Sequence, residues 1–484
     1  NGRRGIDELG WINRVVGVDM LIDSWNSVCG ANNMMAKEHG ALASCAMIRG
    51  NRTRGQDPVR SGLMDFVSAC WAMVFAFLLL LSPLYPQYLL VPMDEAQTDH
   101  LKAYGLAYTV LAAGEKAEWL LNYRAGAFLF RESAAFYAKA RVNGIAVMRI
   151  SESDAAAIYR TMEQNNMERI VLEKAPKVAV YTPEWTAPWD DAVTLALVYA
   201  DIPYTKLWDR EVLLGKLSEY DWLHLHHEDF TGQFSRFFYS HAAAPWYQKQ
   251  VSLFTKLAKE AGFASVREHK GAVARGIQNY VANGGFLFAM CAAVETIDIA
   301  LALYGTDFIP PEIDGTPQTA DWEKRIDHKK TFAFEGFTVN ETPYLNPFSD
   351  IDFNWVNAPN RVPMTDFELF PFSAKIDPVP AMLNQNHESV IRGFFGITST
   401  FRRKHIKDSI TILADTPKSD SVRYLHGNFG KGSFTFYGGH DPEDPNHYIE
   451  DSPTDLSLHR NSPGYRLILN NILFPAAKKE KKKT

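Results

Sequence analysis

The alternation of apolar and polar positions divides this chain into stretches of different character. Residues 1–63 show no sustained period. From Phe66 to Leu81 nearly every residue is apolar, and no charge appears between Phe66 and Met93. Ser82-Pro83 and Pro86 then break any helix. An apolar run this short, just after Met64, predicts a signal peptide over 64–87, or an uncleaved signal anchor. Residues 1–63 are then expected to be upstream sequence foreign to the mature fold, and the protein to be exported, periplasmic or extracellular.

Residues 88–172 predict a small α+β domain. Leu101, Tyr104, Tyr108 and Leu111 form a helical stripe; 119–124, 128–130 and 144–150 read as strands; Ser153 is placed to cap a helix over 154–168. A second domain, 176–475, starts after Pro176 with strands at 177–181, 203–208 and 220–225. Helices are expected at 190–200, 213–217, 246–261 and 272–283. Strands alternating with helices imply a parallel sheet covered on its faces. Residues 305–380, rich in Pro, Asn and aromatics, read as an insertion lying over the site. Late strands at 409–414 and 433–437, a hairpin-like turn over 427–432 and a helix over 464–473 close the domain, and 476–484 form a basic tail.

The apolar stretch that organises the rest is Gly284-Gly285-Phe286-Leu287-Phe288-Ala289-Met290-Cys291. It predicts a buried strand, a tight turn and a helix beginning near Cys291. At a helix N-terminus unpaired N–H groups favour a thiolate, taking a cysteine from about 8.5 to between about 3.5 and 7.5. Small neighbours suit a cramped elbow. The alternative is a core cysteine that packs as a small hydrophobe.

Composition narrows the choices. The 484 residues carry a net charge of −6, with 46% hydrophobic residues, and allow about two to four domains. Nothing in this balance suggests a nucleic-acid partner. Cys29, Cys45 and Cys70 precede the export segment's end, leaving Cys291 as the one cysteine after it and no internal disulfide there.

The other chemistry lies at the expected carboxyl ends of strands, where ligands of parallel sheets bind. Glu184, Trp185 and Trp189 follow the first strand, His226-His227-Glu228-Asp229 the third, and His440-Asp441-Pro442-Glu443 the last. Strand alternation points His224 and His226 one way and His227 the other. A cysteine hydrolase needs a nucleophile, a base and oxyanion donors. Cys291 and His440 fill the first two roles, with Glu443 or Asp441 orienting the imidazole, or Glu184 sharing a proton with the thiol. The amides of Ala292 and of a loop near 230–232 are the candidate oxyanion donors. His226, Glu228 and His440, with His241 as a further donor, form an alternative zinc set. A third reading is a pocket in which Trp185 and Trp189 stack on a sugar or another flat ligand.

The elbow at Cys291 together with His440-Asp441-Pro442-Glu443 resembles the class I glutamine amidotransferase-like superfamily. The run 434–443, closed by Ser462-Pro463-Gly464-Tyr465-Arg466, looks closer still to its ThuA-like branch. The resemblance spans about residues 176–300 and 409–475 and implies a flavodoxin-like parallel sheet. Ala289 and Ala293 stand where that superfamily usually has glycines, and Pro442 lengthens its histidine–acid spacing. It implies a cysteine-dependent hydrolase or amidotransferase-like activity on a small amide, with no cofactor. The non-catalytic alternative is a carbohydrate- or peptide-binding module. The chain after residue 87 also resembles secreted Bacteroidetes-type proteins labelled asparagine synthetase B. It has neither the amino-terminal cysteine nor the Ser-Gly-Gly-x-Asp-Ser ATP loop of such a synthetase, so its residues argue against that activity.

Overall fold

Short apolar runs become strands and the longer amphipathic runs between them become helices, in two sheets. The computed structural model describes residues 87–183, 191–340, 348–352, 366–392, 398, 400–444 and 452–477. The expected export segment up to residue 86, the loop bearing Glu184, Trp185 and Trp189, and the tail from 478 lie outside the described residues. No helix among the described residues is long and apolar enough to cross a membrane.

The first sheet is built from β1 (Tyr88–Val91), α1 (His100–Ala112), β2 (Ala117–Leu121), β3 (Ala127–Arg131), α2 (Ala134–Val142), β4 (Met148–Ile150), α3 (Glu152–Gln164) and β5 (Glu168–Leu172). Its strands are antiparallel, in the order β4-β1-β3-β2-β5. Three expectations shift. The strand expected over 119–124 stops at Leu121, because Asn122, Arg124 and Ala125 take left-handed backbone and form a turn. The strand expected over 144–150 is confined to its last three residues. The cap of α3 is Ser151 rather than Ser153: its hydroxyl accepts the Asp154 N–H at 3.2 Å and the Asp154 carboxylate accepts the Ser151 N–H at 3.0 Å. That helix ends at Gln164, which frees Glu168 to begin β5.

The second sheet follows from β6 (Val178–Tyr181), α4 (Ala192–Tyr199), β7 (Tyr204–Leu207), α5 (Asp209–Leu213), β8 (Trp222–Leu225), α6 (Pro245–Glu260), α7 (Val266–Ala282), β9 (Phe286–Met290) and α8 (Cys291–Ala302). After these come β10 (Phe367–Leu369), β11 (Val390–Ile391), β12 (Phe401–Arg402), β13 (Thr411–Asp415), β14 (Ser421–Phe429), β15 (Gly432–Tyr437) and α9 (Pro463–Leu473). Strands β7-β6-β8-β9-β15 are parallel neighbours in that order. Every residue of β6, β8 and β9 is buried, as continuous apolar strands in a covered sheet should be. Strand order reverses at β6, with β7 on one side and β8 on the other.

Beyond β15 the sheet is antiparallel: β14, β13, β10 and β11 extend it and β12 pairs with β14. β10 lies inside the expected insertion, so part of that segment is sheet. The hairpin turn is only Gly430-Lys431, because Gly427 and Asn428 remain paired with Phe434 and Ser433. The short helix expected over 213–217 is displaced: α5 ends at Leu213, opened by the Glu211 carboxylate accepting the Trp208 N–H at 3.2 Å, and a 3-10 turn follows at Lys216–Glu219.

Two carboxylates on α8 hold the intervening chain against that helix. Asp298 accepts the N–H groups of Phe332, Ala333 and Phe334 at 2.6, 2.9 and 3.1 Å. Glu295 accepts the hydroxyls of Ser349 and Thr398. The first sheet is tied in by Arg466 of α9, fully buried, which donates to Tyr104 Oη at 3.1 Å and to Met93 O at 2.7 Å.

Candidate functional site

β9 ends extended at Met290, and the chain turns into α8 at the next residue. Cys291 makes that turn with φ of +50°. Left-handed backbone costs a non-glycine residue about 1–2 kcal/mol, so neighbouring contacts must hold it there. They do: the Cys291 N–H donates to Gly439 O at 3.1 Å and the Ala293 N–H to His226 O at 3.0 Å. Gly439 itself has φ of +112°, which glycine adopts without a Cβ clash. The elbow is thus tied by main-chain bonds to the loops after β8 and β15. Cys291, Ala292 and Ala293 are all buried.

Those two loops bring three imidazoles together, two of them close to the sulfur. The alternation that sends His227 away from His226 holds only in extended chain, and β8 stops at Leu225. The His226 and His227 rings in fact stack, with centroids 3.9 Å apart and planes 15° apart. The His440 ring lies against both, at 4.8 and 4.7 Å. One ring nitrogen each from His226 and His227 and the Cys291 Sγ lie within 4.8 Å of one another. His226 is 1% exposed, and among the described residues its Nε2 has no hydrogen-bond partner.

Behind His226 stands Asp191, which sequence reading saw only as the start of a helix. Its carboxylate caps α4, accepting the N–H groups of Val193 and Thr194 at 2.8 and 3.1 Å. The same carboxylate meets His224 Nε2 at 3.1 Å and approaches His226 Nδ1 at 3.5 Å. His224 Nδ1 faces Phe288 O at 3.3 Å. Burial works to raise the Asp191 carboxyl, but the facing imidazoles of His224 and His226 outweigh it and hold the group well below the usual carboxylate range.

The other expected acids are committed elsewhere. Glu228 accepts the His226 N–H at 2.9 Å, and burial raises its carboxyl to about 7. Asp229 accepts the N–H groups of Thr231 and Ser235 at 2.7 and 2.8 Å, bracing three successive left-handed residues, Phe234, Ser235 and Arg236. Burial raises its carboxyl too. The Thr231 amide is therefore spent on Asp229, not on an oxyanion. Asp441 is buried and accepts from the N–H of Glu443 at 2.8 Å, the Thr454 hydroxyl at 2.9 Å and the Tyr465 hydroxyl at 2.7 Å. Glu443 meets His459 Nδ1 at 3.1 Å. Both carboxylates expected to orient His440 are thus engaged by other groups. His241 packs on Phe237 and Trp246, so it is not a fourth donor to the cluster. The potential ligand atoms that converge among the described residues belong to His226, His227 and Cys291, and to Asp191, His224 and His226. Of the expected zinc set, these contain His226 but neither Glu228 nor His440.

A cavity of about 380 Å³ opens beside the histidines at the point where strand order reverses. Asp191, His227, Glu228, Trp208 and Trp246 are among its walls. A larger cavity, about 1170 Å³, lies at the amino ends of the strands, lined by residues such as Asp221, Gly284, Gly285 and Lys431. It has no histidine or cysteine in its lining, so chemistry and volume point to opposite ends of the sheet.

No protein-family model matches the chain, and no curated protein matches it. Solved structures offer distant likenesses. The chain is similar to the cytoplasmic protein STM3548 from Salmonella typhimurium at 11% identity, over 63% of this chain and 100% of that one, with a TM-score of 0.30. For the cytoplasmic protein STM1381 from Salmonella typhimurium LT2 the values are 13%, 62%, 100% and 0.30. For a ThuA-like protein from Bacteroides uniformis ATCC 8492 they are 12%, 64%, 94% and 0.28. Likenesses this slight carry no argument about function, which is left to the residues themselves.

Sequence reasoning missed Asp191 and Lys270. Asp191 had a legible signal, an acid at a helix start, but that signal is fully explained by capping. Lys270 sits on α7, 2% exposed, and reaches Asp209 at 2.8 Å; nothing local distinguishes it from a surface lysine.

Proposed function

We propose that this chain is an exported protein with an amidotransferase-like, flavodoxin-like core of the ThuA-like kind, acting as a cysteine-dependent hydrolase on a small amide or related carbonyl compound. The observation that carries the reading is the left-handed Cys291 at a strand–helix elbow, with ring nitrogens of His226 and His227 within 4.8 Å of its sulfur. Sulfur at the N-terminus of a twelve-residue helix is favoured as thiolate. The thiolate attacks the carbonyl carbon, and the neighbouring imidazolium returns its proton to the departing amine. Water then hydrolyses the resulting thioester, with an imidazole as base. His226, backed by Asp191, is the favoured base, and His440 packs against both rings. The 380 Å³ cavity admits the substrate beside His227.

Trp208 and Trp246 in the cavity wall favour a second reading, a non-catalytic pocket for a flat ligand such as a sugar. One experiment separates the two. The Cys291 peptide is followed by mass spectrometry during iodoacetamide treatment from pH 5 to 9, alongside hydrolysis of a panel of small amides and esters. Hydrolysis expects fast alkylation below pH 7, loss of turnover in Cys291→Ser, and a fall on the order of 10²–10⁴ in His226→Gln. Slow alkylation that rises only above about pH 8.5, as for an ordinary thiol, with no turnover on any substrate, removes the hydrolase.

A further inference from the structure

The unsatisfied histidine is the feature that the hydrolase reading leaves unexplained. A buried polar side chain is hydrogen-bonded in the large majority of cases, and each exception calls for a missing partner. His226 is buried; its Nδ1 faces the Asp191 carboxylate at 3.5 Å, and its Nε2 has no hydrogen-bond partner among the described residues. Its ring is stacked face to face on His227 at 3.9 Å. Imidazole nitrogens are among the commonest ligands of zinc-type cations. The third neighbour is a sulfur, the softest donor that a protein offers.

We infer that Cys291 Sγ, one nitrogen of His226 and one of His227 form a binding site for a thiophilic divalent cation of the zinc type. The three donor atoms already lie within 4.8 Å of one another, so small side-chain movements bring them to metal-bond lengths of about 2.0–2.3 Å. A fourth position is left to water or a ligand, as in open zinc sites. Asp191 stands behind His226 at 3.5 Å, the carboxylate–imidazole–metal arrangement that orients a ligating ring. On binding, the metal–sulfur bond forms as the thiol proton leaves to solvent; no electrons are transferred. The inference shares its sulfur with the proposed hydrolysis but does not rest on it. A metal-bound thiolate is withdrawn from attack, so the cation acts on the hydrolase as a reversible inhibitor.

The test is a cobalt(II) titration of the full chain after removal of bound metal, read by absorbance. Wild type is expected to bind one equivalent with a near-ultraviolet thiolate-to-cobalt band and visible bands of tetrahedral intensity, both displaced by zinc. Cys291→Ser should lose the thiolate band, His227→Ala should lose the tetrahedral bands, and Asp191→Asn should bind about 10- to 100-fold more weakly. His241→Ala, outside the cluster, should bind as wild type does. Zinc should also protect the Cys291 peptide of the unaltered protein from iodoacetamide, a readout that needs no variant to fold. No thiolate band in wild type, a band that survives Cys291→Ser, or alkylation unaffected by zinc overturns the inference. Because cobalt absorbance reads binding alone, its failure leaves the hydrolase reading standing, and failure of hydrolysis leaves the metal site standing.

Discussion

Two carboxylates, one buried and one half-buried, stand near neighbouring strands, and their partners differ in one respect. Asp209 is 3% exposed and fully matched: Lys270 Nζ reaches its two oxygens at 2.8 and 2.9 Å and the Tyr181 hydroxyl donates to it. Lys270 also lies over the Trp208 ring, 3.9 Å from its centroid. Burial, with the Asp209 charge beside it, raises the Tyr181 hydroxyl well above its usual range. Asp191 is matched too, by the α4 amides and His224, but the chain of contacts then runs on to His226 Nδ1 and, among the described residues, stops at an unbonded Nε2. A closed polar network holds a fold together; an open one, ending beside a thiol, is built to receive something. The contrast separates structure from site more sharply than cavity size does.

The largest effect expected from breaking this contrast is in the closed network. Lys270→Met keeps the stem over Trp208 and leaves Asp209 as an uncompensated buried charge, which costs on the order of 3–5 kcal/mol. Urea unfolding measures it, and a loss under about 1 kcal/mol would show that water reaches Asp209 and that the network is not closed.

A middle effect concerns pH. Burial raises the Glu228 carboxyl from 4.5 to about 7, so the folded state holds a proton that the unfolded chain has released. The associated stability is fully present below about pH 4.5, declines as pH rises and is gone above about pH 7. Glu228→Gln, neutral throughout, should remove that share of the slope between pH 4.5 and 7 in a series of denaturant titrations. An unchanged slope would mean that Glu228 ionises normally in the cavity wall.

The smallest change in stability is expected in the open network. His226→Phe substitutes an apolar ring of similar shape and loses only the 3.5 Å approach to Asp191, which keeps the α4 amides and His224, so stability should move by no more than about 1 kcal/mol. Thiol reactivity at Cys291 should nevertheless fall to that of an ordinary buried cysteine. A loss comparable to that of Lys270→Met would place His226 among the structural groups and erase the comparison.

Much of this architecture was legible in the chain. The strands at 178–181, 222–225 and 286–290 and the helix behind Cys291 follow from apolar runs and small residues, which act within a few positions. Shifts occurred where a local signal had a rival. Ser151 outcompeted Ser153 as a cap because only Ser151 pairs reciprocally with Asp154. The expectation that His440 takes its partner from Asp441 or Glu443 met side chains already drawn to Tyr465 and His459. Spacing along the sequence states which groups are near, not which of them win.

By itself, then, the sequence determined the elements and placed a cysteine at an elbow, because backbone period and steric room are local properties. It also placed polar residues just beyond strand ends, a position that parallel topology turns into a common rim. Only the tertiary structure decided that His227 folds back onto His226, that Asp191 serves a helix and a histidine together, and that Asp209 is closed by a lysine from a distant helix. Those outcomes depend on which donors and acceptors meet across the sheet, and long-range pairing of that kind leaves no periodic trace in the chain.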